Sequence, residues 1–175
     1  DLLQPLKELI EIIKDKTQNI NYLINNAGLL INSPFIAATN SEIDSIFRIN
    51  YITPALLIQE LLSHFEADKP AHVVNISSMG AFQGSVKFPG LSHYSASKAA
   101  LACLTECLAL EYQHTNIRFN ALALGAVQTP MLEKAFPGYK APVTPEEMGK
   151  FIANFVVNGW KFQNGKIIPV SLTTP

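Results

Sequence analysis

The chain has 175 residues, of which 48% are hydrophobic and only 15% charged, with a net charge of −1. That length holds about one globular domain, and so nearly neutral a chain offers no basic field for a nucleic acid and no acidic tail. The greasiest stretch, residues 99–110, is interrupted by Thr105 and Glu106, so no run of about 18 apolar residues is present and no membrane span is expected.

An ordinary soluble domain is roughly 25% charged; the shortfall here predicts helix faces buried in an oligomer. The start, Asp1-Leu2-Leu3-Gln4-Pro5, lacks both a methionine and a basic region leading into an apolar run, which points to a fragment or processed form without a signal peptide. Cys103 and Cys107 lie one helical turn apart, where Cβ atoms about 5 to 6 Å apart are too distant for an unstrained disulfide. Reduced thiols and a cytoplasmic location are expected.

In chain order, Leu6, Leu9, Ile10 and Ile13 recur at helical spacing behind Pro5 and predict an amphipathic helix over 5–16. A short strand over 20–25 ends in Asn25-Asn26-Ala27-Gly28. After a loop through Pro34, a helical region over 41–65 contains Pro54, which permits a bend or restart. A second strand spans 71–76. A glycine-bearing loop over 77–92 leads into a long helix over 94–113, and a third strand over 117–122 follows. Residues 125–143, with Pro130, Pro137, Gly138 and Pro142, have the composition of a mobile loop around a short helix. Thr144-Pro145-Glu146-Glu147 then reads as a capping box opening another helix, and a last strand covers 166–170. Strands alternating with helices predict an α/β fold: a doubly wound, mainly parallel sheet with helices on both faces. Residues 1–175 form one domain in this reading. The stretches 55–65 and 99–110 are apolar nearly all round and must be covered on two sides, which predicts a homodimer or homotetramer packed through helices around 55–65 and 94–113.

Tyr94 and Lys98, four apart at the start of the long helix, can act on one point. They follow a loop that begins with Ser77 and Ser78 at a strand exit, and two further strand exits carry Asn25 to Gly28 and Gly125. Ligands of open parallel sheets bind outside such strand ends. His64, His72 and His114 show no metal-ligand spacing, and the Gly-x-Ser-x-Gly elbow of a hydrolase is absent from the sequence. Phe82, Phe88, Phe136 and Tyr139 occupy the two variable loops, either as a hydrophobic substrate pocket or as loop anchors.

Asn25-Asn26-Ala27-Gly28, Arg48-Ile49-Asn50, Val73-Val74-Asn75-Ile76-Ser77-Ser78, Tyr94-Ser95-Ala96-Ser97-Lys98 and Arg118-Phe119-Asn120 together resemble the short-chain dehydrogenase/reductases, in that family's order and near its spacings. The resemblance implies a Rossmann-like fold and a nicotinamide-dependent oxidoreductase. It assigns Tyr94 as acid/base, Lys98 as its electrostatic partner, Ser78 as donor to the substrate oxygen and Asn50 as organiser of a proton relay. A phenol titrates near 10, and a neighbouring ammonium is expected to lower that. The resemblance implies NAD or NADP as cofactor, contacted by Asn25, Ala27, Gly28, Ile76, Tyr94, Lys98, Gly125, Val127 and Thr129, with Asp1-Leu2 as a candidate adenine contact. A small carbonyl or alcohol is the implied substrate.

Three departures stand out. Ser78 and Tyr94 are 16 apart, longer than is usual in the family, which places an insertion at the substrate entrance. Leu124-Gly125 stands where the family has Pro-Gly, with loss of a fixed φ and a bulky side chain near the nicotinamide. The family's first strand and glycine-rich pyrophosphate turn are expected ahead of Asp1, and no Gly-x-x-x-Gly-x-Gly occurs in these 175 residues. The rival expectation is therefore a non-catalytic, dimerising scaffold or an inactive fragment.

Overall fold

The computed structural model describes residues 3–65 and 68–172. Asp1-Leu2 lies outside the described residues. Four parallel strands, β1 (Tyr22–Asn25), β2 (Ala71–Ser78), β3 (Ile117–Leu124) and β4 (Lys166–Val170), pair in the order β1-β2-β3-β4. Helices α1 (Leu3–Lys16), α2 (Asn40–Phe47), α3 (Thr53–Leu61), α4 (Ser92–Glu111), α5 (Pro130–Ala135) and α6 (Pro145–Asn158) connect or follow them. This is the doubly wound α/β architecture expected from the alternation of elements.

Side-chain alternation along β2 and β3 separates two cores. Val73, Ile117 and Phe119 face α3 and α4, where they pack with Ile58, Phe65 and Ala109. Val74, Ile76 and Leu122 face the other way and pack with Val156, Ile152 and Phe155 of α6. Burial on both faces explains why β2 is buried along all but its last residue, with its polar His72, Asn75 and Ser77 inside as well.

The two faces are fastened differently. On the α6 side, His72 is fully buried. A carbonyl can only accept, so its bond to Val156 O, at 2.9 Å, requires the proton on Nδ1; Nε2 then accepts from Asn120 Nδ2, also at 2.9 Å. Asn120 spends its remaining groups on Gln163 O and the Lys166 N–H. Burial lowers the His72 pKa, against the opposing pull of the Val156 carbonyl, so the ring is a neutral clamp between sheet and helix. On the other face, Asn25 Nδ2 donates to Asn75 Oδ1, and Asn75 donates to Thr105 of α4.

Several boundaries differ from the sequence-based expectation. The first helix begins at Leu3, ahead of Pro5. Ile20 forms only an isolated bridge to Phe65, leaving the strand to start at Tyr22. The β2 and β3 ladders run on to Ser78 and Leu124 because the two strands pair through those residues. The 41–65 region is broken by a π turn over Arg48–Ile52. The capping box at Thr144 forms as expected, its hydroxyl accepting from Glu147 N while the Glu147 carboxylate accepts from Thr144 N.

The long apolar helices are only half covered. On α4, Ala96, Cys103, Cys107 and Leu110 are exposed, Leu110 at 67%, while α3 buries Pro54, Ile58 and Leu61 and exposes Gln59 and Glu60. Both cysteines are free thiols. Among the described residues, no helix is long and apolar enough to cross a membrane, and no group of three or more His, Cys, Asp or Glu side chains is arranged to hold a metal.

Candidate active site

The C-terminal ends of β1, β2 and β3 open into a cavity of about 720 Å³. Ser78, Tyr94 and Lys98 line it together with Asn26, Gly28, Ile76 and residues 124–127.

Asn50, with no exposed surface, sits in the π turn. Pro54 has no N–H to offer the Asn50 carbonyl four residues back, and the Thr53 N–H reaches Arg48 O instead, one residue beyond the α-helical register. Such single-turn π bulges recur at functional sites. The Asn50 side chain accepts from Leu29 N at 2.8 Å and donates to Leu29 O and to Ser97 Oγ, each at 2.9 Å. Ser97 in turn donates to Tyr94 O at 2.7 Å. One asparagine thus ties the loop after β1 to the first turns of α4.

Lys98 reaches from the same helix to the end of β2, where its Nζ donates to Ile76 O at 2.8 Å, while Ser77 Oγ donates to Lys98 O at 3.0 Å. A Cβ on Gly28 would stand 3.2 Å from Lys98 Nζ and 3.4 Å from Asn50 Oδ1. The ammonium and the amide oxygen therefore face one small space, kept open by glycine.

Burial raises the Tyr94 pKa above the ordinary phenol value, and a hydrogen bond from Ser78 pulls it partly back. The expected acidification by Lys98 is not among the causes: burial sets the direction, and the phenol stays protonated at neutral pH. Lys98, 3% exposed, is pushed down from 10.5 to about 8 by the same burial.

The candidate cofactor contacts divide. Gly28, Ile76, Gly125, Val127 and Thr129 line the cavity with Tyr94 and Lys98. Asn25 is buried in the strand-to-strand network and Ala27 is exposed, both outside the lining; Asn26 occupies the wall instead. Thr129 also caps α5, its Oγ accepting from Leu132 N at 3.2 Å. Leu124, the departure from Pro-Gly, stays in the β3 ladder opposite Val170 and packs against the α6-side core while bordering the cavity. Of the four loop aromatics, Phe88, Phe136 and Tyr139 line the cavity and Phe82 does not.

Sequence reasoning passed over Ser97 and the buried role of His72. Ser97 carries a weak signal, being a polar residue on the inward side of an apolar helix one position before Lys98. His72 carries none, because its partners Val156 and Asn120 lie far along the chain.

A family model described as short chain dehydrogenase matches residues 3–140. The chain belongs to this family. Among curated relatives, the 3-oxoacyl-[acyl-carrier-protein] reductase of Thermotoga maritima is 31% identical over 129 residues, which cover 74% of this chain and 51% of that protein. The chain spans about half the length of the curated relatives it matches. Among solved structures, the 3-ketoacyl-(acyl-carrier-protein) reductase of Brucella melitensis complexed with NADH superposes with a TM-score of 0.81 at 23% identity, covering 94% of this chain and 71% of that one. A short chain dehydrogenase from Escherichia coli complexed with NADPH gives a TM-score of 0.83 at 23% identity, with 95% and 69% covered.

Proposed function

We propose that the protein containing this chain interconverts a carbonyl and a secondary alcohol, using NAD or NADP. The observation that carries this reading is the convergence of Ser78, Tyr94 and Lys98 on one cavity, with Asn50 Oδ1 and Lys98 Nζ facing the same space beside Gly28. The Gly28 cradle, the Ile76 strand end and the Gly125 to Val127 backbone fit the flat ring and ribose of a nicotinamide nucleoside.

When bound, the dinucleotide supplies or takes up a hydride. Ser78 is placed to donate to the substrate oxygen. Tyr94, held protonated by burial, gives its proton to that oxygen in the reducing direction and recovers it in the oxidising one. Lys98, whose ammonium has two donors to spare beyond its bond to Ile76 O, stabilises the phenolate left behind and holds the ribose side. Asn50 fixes the geometry of this end of α4 through Leu29 and Ser97.

The exposed stripe on α4 supports self-association as a homodimer or homotetramer through the helices around 55–65 and 94–113. The fold, reduced thiols and near-neutral charge favour a cytoplasmic, small-molecule enzyme. One domain that includes 1–175 and a substrate loop at 125–143 that moves on binding complete the reading.

The test uses the purified full-length protein, following oxidation or reduction of the nicotinamide with a panel of ketones and alcohols. Tyr94→Phe lowers kcat by about 10³-fold or more while the dinucleotide still binds; full turnover by this variant overturns the assignment. Failure of both dinucleotides to bind in calorimetry favours the scaffold reading instead.

A further inference from the structure

Beyond Tyr94 and Ser78, the cavity has a second wall, formed by Met79, Val86, Phe88 and Leu91 from the segment after β2 and by Met131, Leu132, Phe136 and Tyr139 from α5 and the loop behind it. Val86, Phe88, Met131 and Tyr139 are each between 39% and 50% exposed. An apolar surface of this kind, left open to water beside a reactive group, is what a hydrophobic ligand covers.

The wall is held together across three separate segments. The Phe88 ring meets Phe136 edge-on at 6.2 Å. Asn32, in the loop after β1, donates to Ala135 O at 2.9 Å, and Ser33 N donates to Gly90 O at 3.0 Å. Gly90 has φ +83°, and a Cβ there would stand 2.0 Å from Asn32 Oδ1, so only glycine lets the two loops meet. The base of the 128–143 segment is pinned by Gln128, whose N–H donates to Val143 O and whose Oε1 accepts from Ala141 N.

Among the described residues, no Asp, Glu, Lys, Arg or His side chain lines this wall. The nearby charges are accounted for. Lys87 Nζ donates to Phe82 O and Ser85 Oγ, and Glu133 turns to Gly138 N and Gln128. His93 stacks on Phe35. Lys134 and Lys140 are exposed and outside the lining. Lys98 sits on the opposite side, bonded to Ile76 O. A carboxylate or phosphate seated against this wall would give up part of its hydration with no counter-charge in the wall, a cost that an uncharged group does not meet.

Resting on the oxidoreductase reading, we infer that the substrate is an uncharged, hydrophobic ketone or secondary alcohol carrying a ring, seated against the Phe88–Phe136 pair. The two aromatic rings provide faces and edges for a flat or puckered ring, and Met79 and Met131 adapt to its outline.

The test compares methyl para-acetylbenzoate with the para-acetylbenzoate anion, which share one ring ketone and differ in charge. Both are titrated by calorimetry into the full-length protein saturated with the oxidised dinucleotide, where a ketone binds without reacting. The ester binds at least about 10-fold tighter than the acid, and Phe88→Ala, which removes half of the ring seat, weakens the ester by about 10-fold. Val86→Lys, which places an ammonium on the wall, strengthens the acid by about 10-fold and keeps the test decisive if the alanine variant does not fold. Equal affinities, preference for the acid, or no binding of either compound overturns the inference. Turnover separates it from the reading beneath it. An ester that binds tightly but is not reduced when reduced dinucleotide is supplied removes the reaction and leaves the ligand class standing. If no dinucleotide binds, the same pair titrated into the unloaded protein still decides the class.

Discussion

The two walls of the cavity are built on opposite principles. The wall that carries the candidate catalytic residues, made by the π turn, the end of β2 and the first turns of α4, is buried and hydrogen-bonded: Asn50, Ser77, Ser97 and Lys98 are all at or below 3% exposure, and each has a partner within the chain. The opposite wall consists of loops and one short helix that hold half-exposed apolar side chains in place with a few contacts between segments. In the proposed function, chemistry that needs fixed geometry falls to regular elements, and recognition of the inferred apolar ligand to loops whose change costs the fold little.

The comparison can be broken at its most rigid point. Phe119, fully buried under Tyr112 and central to the core beneath α3 and α4, loses about 4 kcal/mol of stability as Phe119→Ala, measured by urea unfolding of the full-length protein. A loss under about 1 kcal/mol would mean that the catalytic wall does not rest on this core.

Lys98 sharpens the comparison, because in the proposed function its position serves the reaction at the expense of stability. A fall from 10.5 to about 8 corresponds to about 3 kcal/mol of disfavoured charge. Below pH 8 both folded and unfolded states hold the proton, so the penalty is fully present. Between 8 and 10.5 the folded state releases the proton first, the unfolded state binds more protons, and stability rises with pH. Lys98→Met, which also gives up the bond to Ile76 O, is therefore expected to gain about 2 kcal/mol at pH 7 while abolishing turnover, and the gain shrinks as the pH approaches 10. A stability gain independent of pH would place its origin elsewhere.

Smaller effects belong to the periphery. Thr144→Ala removes one arm of the capping box on α6 and costs about 1 kcal/mol in the same unfolding assay. Phe136→Ala, in the loop wall, costs less than about 1 kcal/mol but raises KM for a ring ketone by about 10-fold with kcat little changed. A comparable fall in kcat would mean that the loops also position the catalytic groups.

Much of the fold was legible in local pattern. The helical spacing of Leu6 and Ile10 and the Thr144 to Glu147 capping box each announce an element, because periodicity and capping are local properties. The proposed tetrad stands out through motif and resemblance, and Tyr94 and Lys98 through their spacing along one helix face. Asn25 and Ala27 show the limit of that method. They follow a strand, as cofactor contacts do, yet one is spent between strands and the other points to solvent, with Asn26 taking the cavity position. The Tyr94 pKa shows the same limit, since a helical pair predicts a charge effect while burial, a property of the assembled core, sets its direction.

What the sequence alone determined is the order of elements and the parallel α/β class, and it named the residues proposed to carry chemistry, since these follow from periodicity, turn composition and motif. Only the tertiary structure decided that Asn50 binds Leu29 and Ser97, that His72 clamps α6 to the sheet through Asn120, and that Phe88 meets Phe136 across the cavity. Each of those contacts joins segments between 21 and 84 residues apart, and no local pattern records which distant neighbours packing will bring together.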